Sequence, residues 1–301
     1  VVVSRAQKRS ISCWSLLDTP ISKGLRSRLS SGFHRGNREF GGSERGSEDT
    51  LRMEFGRLEC VDAVDFRLPP DDPGTKAVLT RLQGSGEQPR VHLGTPRWAD
   101  PGYVGTLYPR GTPSRDYLRC YGEQFDTIEL NTTFYRVERE DITRWCSAVP
   151  ADFRFCPKFH WLISHDMKLR GAERATERFF DAMRCFGDKL GPTWMLLPPE
   201  FGPADFAVLD RWLRRFAAEI ELAIELRHPA WFSDHRARAE VFALLEEHHV
   251  TSVMTDVAGR RDVLHQRLTT GTLFLRFIGN ALHPSDFARL DDWLARIGQW
   301  T

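Results

Sequence analysis

The chain has 301 residues, 41% of them hydrophobic and 28% charged, with 42 basic against 41 acidic side chains and a net charge of +1. That length accommodates one large α/β domain or two small ones, and the composition suffices for a substantial core. The near-neutral balance excludes a general attraction to nucleic acid or to an anionic membrane, although a local basic groove stays open. Cys13, Cys60, Cys120, Cys146, Cys156 and Cys185 stand singly, with no C-x-x-C pair. This spacing argues against a disulfide scaffold or zinc site and for reduced thiols in a cytoplasmic setting. No apolar run approaches the roughly 18 residues of a membrane-spanning helix, so no membrane partner is expected.

Residues 1–52 are rich in Ser, Gly and Arg with little periodicity, and the first Met is Met53. They are expected to be disordered, or an upstream segment included by a misplaced start. Residues 53–90 read as an extension packing on the main body. It carries the apolar residues Phe55, Leu58, Val61, Val64 and Phe66, then the turn formers Pro69 to Gly74, then a short helix from Thr75 to Leu82.

The main body, 91–301, alternates apolar runs with amphipathic ones. Strands are predicted at Val91 to Thr95, over the stretch Asp126 to Arg136 with its apolar run ending in Glu, Asn and Thr, at Phe153 to Lys158, Thr193 to Pro199, Leu222 to His228, Val250 to Asp256 and Leu273 to Asn280. Helices are predicted after Pro113 and over Asp141 to Ala148, Ala172 to Phe186, Ala204 to Ala218, Ala237 to His248 and Pro284 to Trp300. Near-continuous apolar strands with short connections imply a parallel sheet with helices outside. Seven such units predict an α/β fold of the TIM-type (β/α)₈ barrel kind, truncated before its eighth strand because the sequence stops at Thr301. A doubly wound open sheet is the alternative, but no G-x-G-x-x-G or P-loop follows the first strand.

In such a barrel the ligand meets the C-terminal ends of the strands. Those ends offer Glu129 and Asn131, Lys158, Glu225, Arg227 and His228, Asp256, and Arg276 and Asn280. Charges inside apolar strands are unfavourable unless paired. Two readings follow. In the functional one, Glu129, Glu225 and Asp256 move protons, while Asn131, Lys158, Arg227, His228, Arg276 and Asn280 bind an anionic substrate. In the other, the same groups form an ion-pair network that closes the barrel end. His160, His165, His228, His265 and His283 fall in loops after strands without helical ligand spacing. No metal ligand is therefore assigned, and a divalent cofactor stays an alternative. Glu129 with Glu225 also fits a glycosidase pair, which only their separation can decide. Trp98, Tyr103, Tyr108, Phe134, Tyr135, Trp161 and Trp231 either stack on sugar or base rings or pack loops.

Several motifs follow one another in order: Gly94-Thr95, Trp98 and Tyr108-Pro109; Phe125 to Arg136 (FDTIELNTTFYR); Phe155 to Lys158 (FCPK); Ile163 to His165; Leu197 to Pro199; Glu225 to His228 with Trp231; and the Asp256 strand. Together they resemble the YecE-like family, domain of unknown function 72, over about Val91 to Trp300. The resemblance implies a TIM-type barrel and brings no established reaction. Gly259 to Asp262 and Arg276 to Asp286 look like one subgroup. Two departures stand out: Leu196 occupies a position where the family commonly has Gln, and the aromatic-rich last strand is missing. The expected function is an enzyme, of the hydrolase or isomerase/lyase type, using acid–base chemistry on a phosphorylated, sugar or nucleotide-type substrate. The alternatives are a metal-dependent phosphodiesterase or nuclease and a non-catalytic ligand-binding protein.

Overall fold

Among the described residues the strands follow the seven predicted runs, most of them shorter than periodicity alone predicts, with one more at Val2–Ser4. In the computed structural model, which describes residues 2–4, 56, 58–83 and 88–301, they are β1 (Val2–Ser4), β2 (Arg90–His92), β3 (Thr127–Leu130), β4 (Arg154–Pro157), β5 (Thr193–Leu196), β6 (Leu222–Glu225), β7 (Thr251–Val257) and β8 (Leu273–Ile278). Apart from Val2–Ser4, the segment expected to be disordered lies outside the described residues, as do Met53 and Phe55 of the extension. The helices are α1 (Pro73–Gln83), α2 (Tyr117–Gly122), α3 (Thr132–Tyr135), α4 (Arg139–Ala148), α5 (Glu173–Met183), α6 (Phe206–Phe216), α7 (Ala230–Ser233), α8 (His235–Glu247) and α9 (Pro284–Trp300).

The predicted (β/α)₈ barrel is not what these elements build. The described strands fall into a six-stranded sheet, in the order β2-β1-β8-β7-β6-β5, and a separate two-stranded sheet, β3-β4. β5 to β8 run parallel, but β1 lies antiparallel between β2 and β8. The break between β4 and β5 has a local cause. Arg154 and Lys158 donate their backbone N–H groups to Asp126 O (2.8 Å) and Leu130 O (3.1 Å) on the β3 side, which turns Phe155, Pro157 and Phe159 toward β5. Gly191 N–H reaches Phe155 O at 2.7 Å, and Phe159 N–H reaches Trp194 O at 2.9 Å. Pro157 stands between them with no N–H to give, so the ladder is interrupted. Isolated bridges, Phe155 with Leu190 and Lys158 with Trp194, are what spans that edge among the described residues.

Strand alternation sorts the side chains into two faces. One face carries Ile128, Phe155, Met195 and Ile224 into a large apolar cluster with Phe179, Phe180 and Met183 of α5, Leu209, Leu213 and Phe216 of α6, and Val241 and Leu245 of α8. Full burial of each such side chain contributes about 1.5–3 kcal/mol. A second cluster joins Met254 and Leu275 to Val78 of α1 and to Trp293, Ile297 and Trp300 of α9. The other face of the strands carries a small dry layer of Cys156, Trp194, Leu196, Ala223, Val253 and Phe274.

The extension is fastened by polar contacts. Asn280 bonds Leu58 twice, through its side-chain oxygen to Leu58 N at 3.0 Å and its amide to Leu58 O at 2.9 Å. Thr75 Oγ1 donates to Gln266 O at 2.6 Å, and Arg296 and Trp300 both donate to Asp71. The densest tie lies beneath α9. Asp256, fully buried, accepts from Arg289 Nη1 at 3.0 Å and Trp293 Nε1 at 2.6 Å, and also from Arg261. The Arg289 guanidinium lies between the rings of Phe66 and Phe277. Asp256→Asn removes the carboxylate that Arg289 and Arg261 share in a buried site, leaving Arg289 with the Asp286 carboxylate alone. It is expected to lower stability by about 3–5 kcal/mol, measured as a shifted urea midpoint at constant slope.

Candidate active site

The site is organised one layer above the dry floor, at the C-terminal ends of the strands. Register shows this directly: Glu129 pairs with Cys156, Leu196 with Glu225 and Thr255 with Arg276. Glu129, Lys158, Glu225, Thr255 and Arg276 therefore project from the same face. Cys156, Ala223, Val253 and Phe274 lie two residues earlier on their own strands.

Arg276 holds the centre. Its Nε and Nη2 donate to the two oxygens of Glu129 at 2.8 and 3.1 Å, and its Nη1 donates to Glu225 Oε2 at 2.7 Å. Glu225 Oε1 accepts from Arg227 Nε at 2.8 Å, and Glu129 Oε1 accepts from the Asn131 amide at 3.0 Å. The guanidinium also lies over the Trp194 ring, 4.5 Å from its centroid. Burial alone would raise the Glu225 carboxyl. The Arg276 and Arg227 guanidiniums outweigh burial and hold it down at about 2. Glu129 is shifted the same way, with burial opposed by Arg276 and Asn131. Both carboxylates are thus fixed as anions.

Lys158 is the exception in this layer. Among the described residues no acceptor or carboxylate bonds its ammonium. It is half-buried, 4.2 Å from the Phe134 ring centroid and 4.9 Å from that of Trp194. The backbone explains the placement. Lys158 N–H continues the β4 ladder to Leu130 O, and β3 then turns sharply into α3 at Asn131. Thr133 Oγ1 donates to Lys158 O at 2.7 Å and to Leu130 O at 3.0 Å, which seats α3, and Phe134 with it, over the lysine. Burial and the neighbouring Arg276 lower the Lys158 amine to about 8, although Glu129 and Glu225 pull the other way. His165 meets Phe134 edge-to-face, ring centroids 5.0 Å apart, with its Nδ1 2.8 Å from Ser164 Oγ. Burial, then Lys158 and Arg227, push it down to about 4, so it is neutral at pH 7.

Three of the residues expected at the strand ends stand elsewhere. Asp256 differs from Thr255 by one position, so it projects through the opposite face into the Arg289 tie. Asn280 is taken up by Leu58 and, through its N–H, by Asp286. His228 accepts the Ala230 N–H at 3.1 Å and lies against Gly202, where a Cβ would meet its ring at 2.9 Å. Asn131 is present but turned onto Glu129. The histidines show a common use. The Nδ1 atoms of His160, His228, His265 and His283 each accept the backbone N–H two residues on. They cap turns, and among the described residues no group of three or more His, Cys, Asp or Glu gathers as a metal requires. Thr255 belongs to the layer and Trp194 to the floor beneath it, and neither was singled out from sequence. Both have a buried polar atom without a partner, Trp194 Nε1 and Thr255 Oγ1. Counting by twos back or across from Glu225 and Arg276 would have found them.

The family described as "Protein of unknown function DUF72" matches residues 92–301. The chain belongs to the DUF72 family. UPF0759 protein YecE of Escherichia coli is 28% identical over 229 residues, covering 70% of this DUF72 chain and 82% of YecE. UPF0759 protein YunF of Bacillus subtilis is 26% identical over 151 residues, covering 48% and 52% of the two chains. A crystallised DUF72 family protein from Enterococcus faecalis shares the fold, with a TM-score of 0.53 at 23% identity over 64% of this chain and 72% of that one. No helix among the described residues is long and apolar enough to cross a membrane.

The carboxylate pair gives the site a pH signature. Glu225 has its folded value, about 2, below its ordinary 4.5. Its stabilisation is therefore complete above 4.5 and lost as pH falls toward 2. Glu225→Gln is expected to cost about 3–5 kcal/mol at pH 6. The difference from wild type should shrink as urea unfolding is repeated between pH 4.5 and 2.

Proposed function

We propose that this DUF72 protein is an enzyme performing acid–base chemistry on an anionic substrate at the C-terminal ends of β3 to β8, with the Lys158 amine as the reacting group. The observation that carries the reading is that amine: half-buried, between two ring faces, bonded to no acceptor among the described residues, and lowered to about 8. A structural lysine would be expected to donate to carbonyls. Lys189 does so, to Cys146 O at 2.5 Å and Val149 O at 2.8 Å.

The roles follow from the electrostatics. Glu129 and Glu225, held as anions by Arg276, are poor proton donors near neutral pH; their part is to fix Arg276 and to balance charge. Lys158 has a proton affinity matched to transfer near neutrality. Lys158, Arg227 and Arg276 against Glu129 and Glu225 leave one positive charge in excess while the amine is protonated. That excess favours a phosphorylated, carboxylated or nucleotide-type ligand. Tyr135, 73% exposed, and Trp161, 42% exposed, follow β3 and β4 at the same end and offer ring faces to a sugar or base. An amine of this kind suits proton abstraction beside a carbonyl, which favours isomerase or lyase chemistry over hydrolysis. The metal-dependent phosphodiesterase has no ligand set among the described residues to support it.

A panel of sugar phosphates, phosphodiesters and glycosides tests this. Turnover is expected for an anionic member, rising as pH passes up through about 8, because the neutral amine is the base. Lys158→Met and Lys158→Arg should each lower kcat by about 100-fold or more, while Lys158→Arg preserves KM. Undiminished turnover in Lys158→Met would contradict the proposal. Tight binding with no turnover would instead make this a ligand-binding protein.

A further inference from the structure

The chain uses arginine for nearly every cation. Among its 42 basic residues are only six lysines: Lys8, Lys23, Lys76, Lys158, Lys168 and Lys189. One of these six occupies the layer that otherwise holds Arg276 and Arg227. Arginine supplies charge and a planar fork but remains protonated, so it is neither a base nor a nucleophile. A lysine there supplies a nitrogen lone pair whenever it loses its proton. Its setting is the one that makes lysine amines nucleophilic, an apolar pocket beside another cation.

We propose that Lys158 forms an imine with the carbonyl carbon of an aldehyde or ketone that carries a phosphate or carboxylate. The inference rests on Lys158 being the reacting amine, and it names the class of substrate. Four features of the geometry support it. The Nζ atom has no hydrogen-bond donor among the described residues to hold its lone pair and no acceptor to hold its protons. The faces of Phe134 and Trp194 stand on Nζ at 4.2 and 4.9 Å, apolar flanks for a flat, trigonal carbon. Arg276, 4.5 Å from the Trp194 centroid, adds positive charge beside the same ring, and Arg227 adds more, which favours an anionic handle on the carbonyl compound. Glu129 and Glu225 supply the negative charge that stabilises a cationic iminium.

The step balances without redox. Neutral Nζ attacks the carbonyl carbon, the C=O π pair moves to oxygen, and proton transfer gives a carbinolamine. That hydroxyl takes a proton and leaves as water, while the nitrogen lone pair closes the C=N bond of the iminium. The proton taken up comes from solvent, which the half-buried amine still meets. Before attack, with the amine neutral, Arg227 and Arg276 balance Glu129 and Glu225 and the charges sum to zero. The iminium restores one positive charge facing the anionic handle. A general base that only abstracts a proton makes no covalent bond, and this separates the two roles.

The test uses the full chain at pH 7 with glyceraldehyde 3-phosphate or pyruvate and sodium cyanoborohydride, read by intact mass and peptide mapping. One adduct of the reduced probe is expected at Lys158, forming at least about 10-fold faster than at the exposed Lys76 or at Lys168. Inorganic phosphate should slow it, and Lys158→Arg should abolish it. Labelling spread evenly over the lysines would overturn the imine. If Lys158 reacts preferentially with acetic anhydride but not with either carbonyl probe, the imine fails and the reacting amine stands. If Lys158 is favoured by neither kind of reagent, both fail.

Discussion

The Arg276 guanidinium, held between Glu129 and Glu225, is the interaction on which the rest of the site depends. It reaches from β8 to β3 and β6, and so joins the two-stranded sheet to the six-stranded one. Over a dry floor of Cys156, Trp194, Ala223, Val253 and Phe274 the local dielectric is low, which strengthens these contacts and makes an unpaired charge expensive. With both carboxylates fixed as anions, the pairing is complete without Lys158. The lysine is then an ammonium in a desolvated place with ring faces and no bonded acceptor, and its proton is loosened.

Cation–π contact with Phe134 and Trp194 opposes that loosening, since it favours the charged amine. Each such contact is worth about 0.5–2 kcal/mol, and Glu129 and Glu225 act in the same direction. The downward shift to about 8 means that burial and the repulsion from Arg276 prevail. The balance is one a single substitution can tip. Removing Arg276 would leave Lys158 beside two carboxylates, and it would become an ordinary ion-paired lysine.

Much of this was legible in the sequence, and the gaps have physical causes. The apolar runs located β3 to β8, and the charges within them located Glu129, Glu225, Arg227 and Arg276, because such residues in strands need partners. Asp256 looked equivalent to them in a list of strand charges. A strand has two faces, however, and parity places Asp256 with Arg289 and Trp293. The stretch after Leu130 reads as continuing strand, with β-branched and aromatic residues throughout, yet Asn131 starts a helical turn that brings Phe134 over Lys158. The barrel, truncated before its eighth strand, was inferred from the count of strand–helix units. That count says nothing of Pro157, whose missing N–H interrupts the ladder, nor of Val2–Ser4 running antiparallel beside β8. The long-range partner of Asn280 was beyond reach, because that contact is one only the fold creates.

The central claim is that Lys158 is a neutralisable amine in a site built by arginine–carboxylate pairing. Its titration tests this most directly: competitive acetylation of the six lysines from pH 6 to 11, with each site followed by mass spectrometry. The account predicts a midpoint for Lys158 near 8, moving upward in Arg276→Met. A midpoint near the ordinary lysine value of about 10.4, unchanged by that substitution, would contradict it.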